Sequence, residues 1–397
     1  MVIDYIKNHW DDCIRKKGNS KDSLDLPYTY TSPCAVGLFD DFFYWDTYFI
    51  NRALLLEKRY EDAKNNILNM AYLIDKVGYM PNAASYVLIN RSQMPLFILM
   101  CDDYYNSTKD IMLISSIYDS MVREYNFWMT KRITKSGLNR FDSNADNNFK
   151  EFFASEYKER VKFVVNENRD NMTIGANALA ECESGWDFSP RFNQEALNYN
   201  PIDLNSLLYK NELILSKFSN LLNKEDIYFE KSIIRKKLIN QFMKKEDGFY
   251  DYNFVDNSCS NITTCASLLP FLYGVSDDKN ILTNILSKLE FEYGISSGEN
   301  ATTSSNYQWF YPNMWPNLVL FAYEALKNNG LYDDAKRIGN KFLNVVNKEF
   351  ERTGKLWEKY DVISGKKSSV NEYQETEMMG WTAGVYSVIY YDLHEGE

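Results

Sequence analysis

Tyr60-Glu-Asp-Ala-Lys-Asn-Asn-Ile-Leu-Asn-Met-Ala-Tyr-Leu-Ile-Asp-Lys-Val77 and Tyr332-Asp-Asp-Ala-Lys-Arg-Ile-Gly-Asn-Lys-Phe-Leu-Asn-Val-Val346 follow one pattern. Ala63, Ile67, Met70, Ala71 and Ile74 fall on one face at helical spacing, as do Ala335, Ile338, Phe342, Val345 and Val346. Each stretch follows an apolar helix, residues 48–56 or 318–326, and each leads through a glycine, Gly78 or Gly354, into a segment rich in polar groups. The spacing predicts a helical hairpin used more than once.

Similar helical stretches cover residues 1–17, 92–103, 110–130, 171–183, 202–222, 225–244, 262–273, 278–292 and 376–392. Only 17 Gly and 9 Pro punctuate 397 residues, and no Pro/Gly/Ser linker splits them, so long elements are favoured over many short ones. The expected fold is all-α: about twelve helices in a closed ring of hairpins, the (α/α)6 toroid, forming one catalytic domain over residues 1–397. In that architecture loops at one end line a deep pocket. Residues 135–170 mix Asn, Asp, Lys and Phe without clear periodicity and read as an irregular insertion over the pocket.

Composition removes several functions. A net charge of −11 with no basic stripe argues against a nucleic-acid partner. The most apolar run, residues 94–101, is too short to span a bilayer. The start shows no basic segment followed by an apolar one, and the six cysteines form no Cys-x-x-Cys pair; both point to reduced thiols and a cytoplasmic location. The two histidines, His9 and His394, lie near the termini, so Ser-His-Asp triads, Cys-His pairs and His-based zinc sites are not expected. Aromatics make up 16% of the chain; most suit core filling, and flat rings also stack on sugar faces.

Glu183-Ser-Gly-Trp-Asp-Phe-Ser189 sets two carboxylates beside an indole. A carboxyl against an aromatic wall can keep its proton, which a general acid requires. Asp187 alone reads equally as a helix cap, and Glu358 alone as a solvated charge beside Lys359. Four further segments alternate polar and aromatic residues: Gly37-Leu-Phe-Asp-Asp-Phe-Phe-Tyr-Trp-Asp46; Met80-Pro-Asn-Ala83 continuing to Asn90-Arg-Ser-Gln93; Tyr307-Gln-Trp-Phe-Tyr-Pro-Asn-Met-Trp-Pro316; and Trp357-Glu-Lys-Tyr-Asp361 followed by Asn371-Glu-Tyr-Gln374. The aspartate pairs Asp40-Asp41 and Asp102-Asp103 suggest magnesium–diphosphate sites only superficially, since no Lys/Arg clamp lies nearby.

Taken in order, and with Pro201-Ile-Asp-Leu-Asn205 between them, these segments resemble the trehalases, glycoside hydrolase family 37, from about residue 30 to 385. The resemblance implies an (α/α)6 barrel and an inverting hydrolase that cleaves α,α-trehalose to two glucose molecules, with Asp187 matching the general acid and Glu358 the general base. It further implies that Phe39, Trp45, Asp46, Asn82, Arg91, Gln93, Gly185, Trp309 and Glu372 hold the sugar. The implied partner is a small neutral sugar. No metal or organic cofactor and no membrane is called for; the sequence does not fix the oligomeric state, and a monomer is compatible with it. Departures fall in the pocket: Leu38 replaces the family arginine, Phe310 an aspartate and Ala383 an asparagine, the Pro-Arg-Pro-Glu-Ser-Tyr segment is not recognisable, and the glycine-rich lid shrinks to residues 365–371. Arg160 and Arg169 are candidates for the missing donor. Another inverting α-glycosidase on the same barrel, of the glucosylglycerate or mannosylglycerate type, is the rival reading, with a non-catalytic sugar-binding homologue behind it.

Overall fold

How much of each helix's circumference is buried sorts the helices into two kinds. The computed structural model describes residues 1–16, 18, 20–37, 39–161, 168–301, 307–369 and 380–394. Along the chain come α1 (Val2–His9), α2 (Tyr44–Leu56), α3 (Tyr60–Val77), α4 (Phe97–Thr108), α5 (Ile111–Lys131), α6 (Asn147–Val161), α7 (Asn171–Ser184), α8 (Ile202–Leu221), α9 (Tyr228–Phe242), α10 (Leu269–Leu272), α11 (Lys279–Leu289), α12 (Pro316–Asn328), α13 (Tyr332–Thr353) and α14 (Gly380–Leu393). In α2, 11 of 13 residues are buried, and α8, α12 and α14 are likewise buried on nearly every side, as helices surrounded by protein are. In α13 only one stripe is buried, from Ala335 to Glu349.

The neighbours close the ring. α2 packs on α4, α4 on α8, α8 on α10, α10 on α12, α12 on α14, and α14 back on α2. Outside them, α3 and α5 flank α4, α9 lies on α8, α11 lies on the 3-10 turn that leads into α10, α13 bridges α12 and α14, and α1 covers α14. The chain thus alternates inner and outer helices six times around an (α/α)6 barrel. Both quoted stretches are outer helices, and each ends on a left-handed glycine, Gly78 at φ 97° and Gly354 at φ 70°, a conformation that costs glycine little.

Four sequence expectations shift. The first helix stops at His9, because the backbone of Ile14 and Arg15 pairs with Thr31 and Tyr30 instead of continuing a helix. The stretch expected to start at residue 92 becomes helical only at Phe97; Pro95 disfavours helix before it, and its carbonyl accepts from Asn211 Nδ2 at 2.8 Å. The stretch expected from residue 262 begins as a 3-10 turn at Cys265. Its β-branched Thr263 and Thr264 sit in extended backbone instead, paired with Glu299 and Gly298.

The fourth shift concerns residues 135–170, which are not irregular throughout. Residues Asn147–Val161 form α6, whose start is capped by Asp146 accepting from Phe149 N at 2.8 Å. It buries Phe153, Ala154, Tyr157 and Val161 against α7. The approach is close: a Cβ on Gly175 would meet the Lys150 carbonyl oxygen at 1.7 Å. This extra hairpin stands outside the sixfold alternation.

Candidate active site

The first turns of α2 and α14 and the segments that lead into α4 and α12 line one cavity of about 400 Å³, within the usual range for small-molecule sites. Phe39, Trp45, Asp46, Asn82, Arg91, Gln93, Gly185, Asp187, Trp309 and Glu358 all line it. Glu372 and Leu38 lie outside the described residues. Sequence reasoning passed over Asp41, Phe43, Leu88, Cys182, Gln308 and Trp381, which also line it. Asp41, Phe43 and Gln308 sat inside quoted motifs; Leu88 and Cys182 carry no chemical signal.

Asp187 follows the end of α7. Gly185 caps that helix at φ 81°, and a Cβ there would lie 2.7 Å from Trp45 Cζ2. Only glycine lets α7 stop against the indole and send Asp187 inward. The Asp187–Phe188 peptide is cis. Gln308 Nε2 donates to the Asp187 carbonyl at 2.7 Å. From α6, Arg160 Nη2 donates to Asp187 Oδ2 at 2.9 Å, its guanidinium 4.6 Å from the Phe188 ring centre. Arg169 pairs with Glu195 and donates to the Gln194 carbonyl, and it does not line this cavity.

Glu183, the other carboxylate of the motif, is structural. It is fully buried, takes Arg132 Nε and Nη2 at 2.8 Å each, and accepts Ser92 N at 2.9 Å and Asp142 N at 2.8 Å. It thereby ties the Asn90–Gln93 segment to α7. Gln93 Oε1 accepts Trp45 N at 3.1 Å, and Asn82 Nδ2 reaches the Ser92 and Cys182 carbonyls at 3.4 and 3.5 Å. Arg91 is buried, donates to Asn90 Oδ1 at 2.7 Å, and its Nε has no hydrogen-bond partner among the described residues. A buried donor in that state is costly unless a ligand takes it.

Glu358 precedes a short antiparallel ladder that pairs Asn313–Met314 with Tyr360–Asp361, which brings the last motif beside the Trp309 loop. Lys359 Nζ lies 3.2 Å from Glu358 Oε2, and Trp381 Nε1 donates to the Glu358 carbonyl at 3.1 Å. Beneath lie packed indoles: Trp309 stacks on Trp315 with centroids 3.6 Å apart and also contacts Trp45, Trp186 and Trp381. Arg191, clamped by Asp203 and Asp251 through four bonds of 2.7 Å, sits 4.9 Å from the Trp186 ring centre. That gives Asp203 of the Pro201–Asn205 stretch a supporting place under the cavity floor. Phe310 turns away from the cavity into a second apolar cluster with Phe188 and Tyr157.

Asp46, in the first turn of α2, is buried, and burial pushes its carboxyl up to about 7. Its own backbone N–H counters this, while the charges of Glu358 and Asp187 add to it. Among the described residues, four carboxyls (Asp41, Asp46, Asp187 and Glu358), two guanidiniums, several amides and indole walls therefore surround one space. Such a set makes many directional bonds to hydroxyls and offers flat apolar faces, the chemistry of a neutral sugar site.

The family model for Trehalase matches residues 2–392. A trehalase of Apis mellifera is 29% identical over 88% of this chain and 61% of its own; this chain thus spans about three fifths of that relative. A periplasmic trehalase of Escherichia coli is 31% identical over 96% of this chain and 72% of its own. Among solved structures, neutral trehalase from Saccharomyces cerevisiae superposes with a TM-score of 0.78 at 20% identity, covering 98% of this chain and 80% of the other. A GH63 mannosylglycerate hydrolase from Thermus thermophilus, in complex with glucose, gives 0.68 at 14% identity over 98% and 100%.

Proposed function

The chain belongs to the trehalase family of glycoside hydrolases, and on that premise we propose that it hydrolyses α,α-trehalose to two glucose molecules with inversion at the attacked carbon. The observation that carries this is the convergence of Asp187 and Glu358, from distant motifs, on the walls of one cavity. Asp187 gives its proton to the glycosidic oxygen as the C–O bond breaks. Glu358 takes a proton from a water that attacks the anomeric carbon from the opposite face. The attacked ring leaves as β-glucose and the other as α-glucose.

The surroundings suit those roles. Lys359 and the Trp381 bond to the Glu358 backbone hold the base in place. Arg160 sits on the Asp187 carboxyl; on substrate binding it moves to a sugar hydroxyl and leaves Asp187 free to donate. It thereby supplies the donor that the family arginine provides where this chain has Leu38. Asp46, Asn82, Arg91, Gln93 and Glu372 bond the sugar hydroxyls, Phe39, Trp45 and Trp309 face its apolar side, and Gly185 keeps the wall close. The barrel and the α6–α7 hairpin act as one catalytic unit. No disulfide joins the six cysteines, which suits a reducing compartment and supports the cytoplasmic reading; cell fractionation tests it.

A panel of α,α-trehalose, glucosylglycerate and mannosylglycerate tests the substrate. Trehalose should be turned over fastest, and Asp187→Asn or Glu358→Gln should each lower kcat by about 10²- to 10⁴-fold. Leu38 in place of the family arginine favours the glycerate reading, and faster turnover of either glycerate would replace trehalose as substrate while retaining the mechanism.

A further inference from the structure

The first turns of α2 and α14 line the sugar cavity, while residues further along α2, α4, α8, α12 and α14, with Leu272 and Tyr273 at the end of α10, converge at the opposite end of the ring. There a second cavity of about 550 Å³ opens, larger than the first. Arg52, on the last turns of α2, crosses it, with Nη2 2.5 Å from Glu324 Oε1, Nη1 2.9 Å from the Tyr48 hydroxyl and Nε 3.6 Å from Asp103 Oδ2.

Two buried polar atoms here have no hydrogen-bond partner among the described residues: Asp103 Oδ2 and the Tyr273 hydroxyl. Tyr273 is 7% exposed, and its hydroxyl lies among Tyr48, Glu324, Asp103 and Arg52. Lys210 lines the same space and acts on Asp103 through its charge. Unsatisfied buried groups of this kind are costly and rare.

Charge decides the class of occupant. Four carboxylates (Asp102, Asp103, Glu324 and Asp392) face three cations (Arg52, Lys210 and Lys327), so neither sign is strongly selected. The helix C-termini further disfavour an anion. Among the described residues no group of three or more potential metal ligands is present. What remains unsatisfied is an acceptor on Asp103 and a hydroxyl on Tyr273 that both donates and accepts. Hydroxyls answer both, and the half-buried Tyr391 ring beside them offers a face for C–H surfaces.

We propose that this second cavity binds a neutral polyhydroxyl molecule, a monosaccharide or polyol, anchored by Asp103 and Tyr273. The site is independent of the catalytic reading. Hydrogen exchange of the full chain, titrated with D-glucose or myo-inositol, tests it. Saturable protection is expected around residues 99–107 and 323–328, and it should persist in Asp187→Asn. Tyr273→Phe should raise the half-saturating concentration about tenfold, the cost of one lost hydrogen bond, with trehalose hydrolysis unchanged. Leu99→Trp, which fills the cavity from its wall, should abolish the protection. Absence of protection in the wild-type chain, or titration of both cavity variants like wild type, overturns the proposal and leaves the catalytic assignment standing.

Discussion

Replacing Asp46 by asparagine separates stability from catalysis, with a sign that pH reveals. Asp46 has an ordinary carboxyl value of 3.8 raised to about 7, chiefly by burial. The folded chain therefore keeps this proton between about pH 4 and pH 7, where the unfolded chain has lost it. With more protons bound when folded, stability falls as pH rises through that window and levels off above it. The full cost of ionising Asp46 in place is about 4 kcal/mol. An asparagine side chain does not titrate, so in urea denaturation Asp46→Asn should match wild type near pH 4 and exceed it by up to about 4 kcal/mol at pH 8. Glu124, also buried and raised to about 7, titrates in both proteins and cancels in the difference. The same change removes a carboxyl that bonds a sugar hydroxyl, so kcat/KM should fall about 10- to 100-fold. Parallel stability curves for the two proteins across this range would refute the argument that Asp46 is held at an energetic cost for function.

Three further outcomes follow from the site's construction. Gly185→Ala places a Cβ against Trp45 at a positive φ and should cost about 1–3 kcal/mol in denaturant midpoint while lowering kcat. Glu183→Gln breaks the buried Arg132 pair and should destabilise by about 3–5 kcal/mol, read by thermal unfolding. Arg160→Lys keeps the charge but loses the planar fork, so KM for trehalose should rise about tenfold with fold and thermal stability retained.

The barrel was legible because its outer helices are amphipathic: the stripes on α3 and α13 announce both helix and buried face. The inner helices carried less pattern, since α12 and α14 bury nearly every side and periodicity fades. The α6 helix was hidden by Asn147-Asn148, which imitate a loop until Asp146 caps them and Tyr157 and Val161 find α7. At the site, motif order located both carboxylates, yet Glu183 and Asp187 look alike in sequence. Their difference comes from Arg132, a partner 51 residues from Glu183 that no local reading connects. Trp381 sits two residues before Ala383, a family position, yet only tertiary packing shows that it lines the cavity, and only packing chooses Arg160 over Arg169.

The central claim is the joint action of Asp187 and Glu358 across one glycosidic bond. Proton NMR of freshly cleaved α,α-trehalose tests it most directly, before the anomers equilibrate. Inversion predicts equal initial amounts of α- and β-glucose, with both signals lost in Asp187→Asn and Glu358→Gln. α-Glucose alone would contradict the mechanism, and undiminished release by either variant would contradict the assignment of its residue.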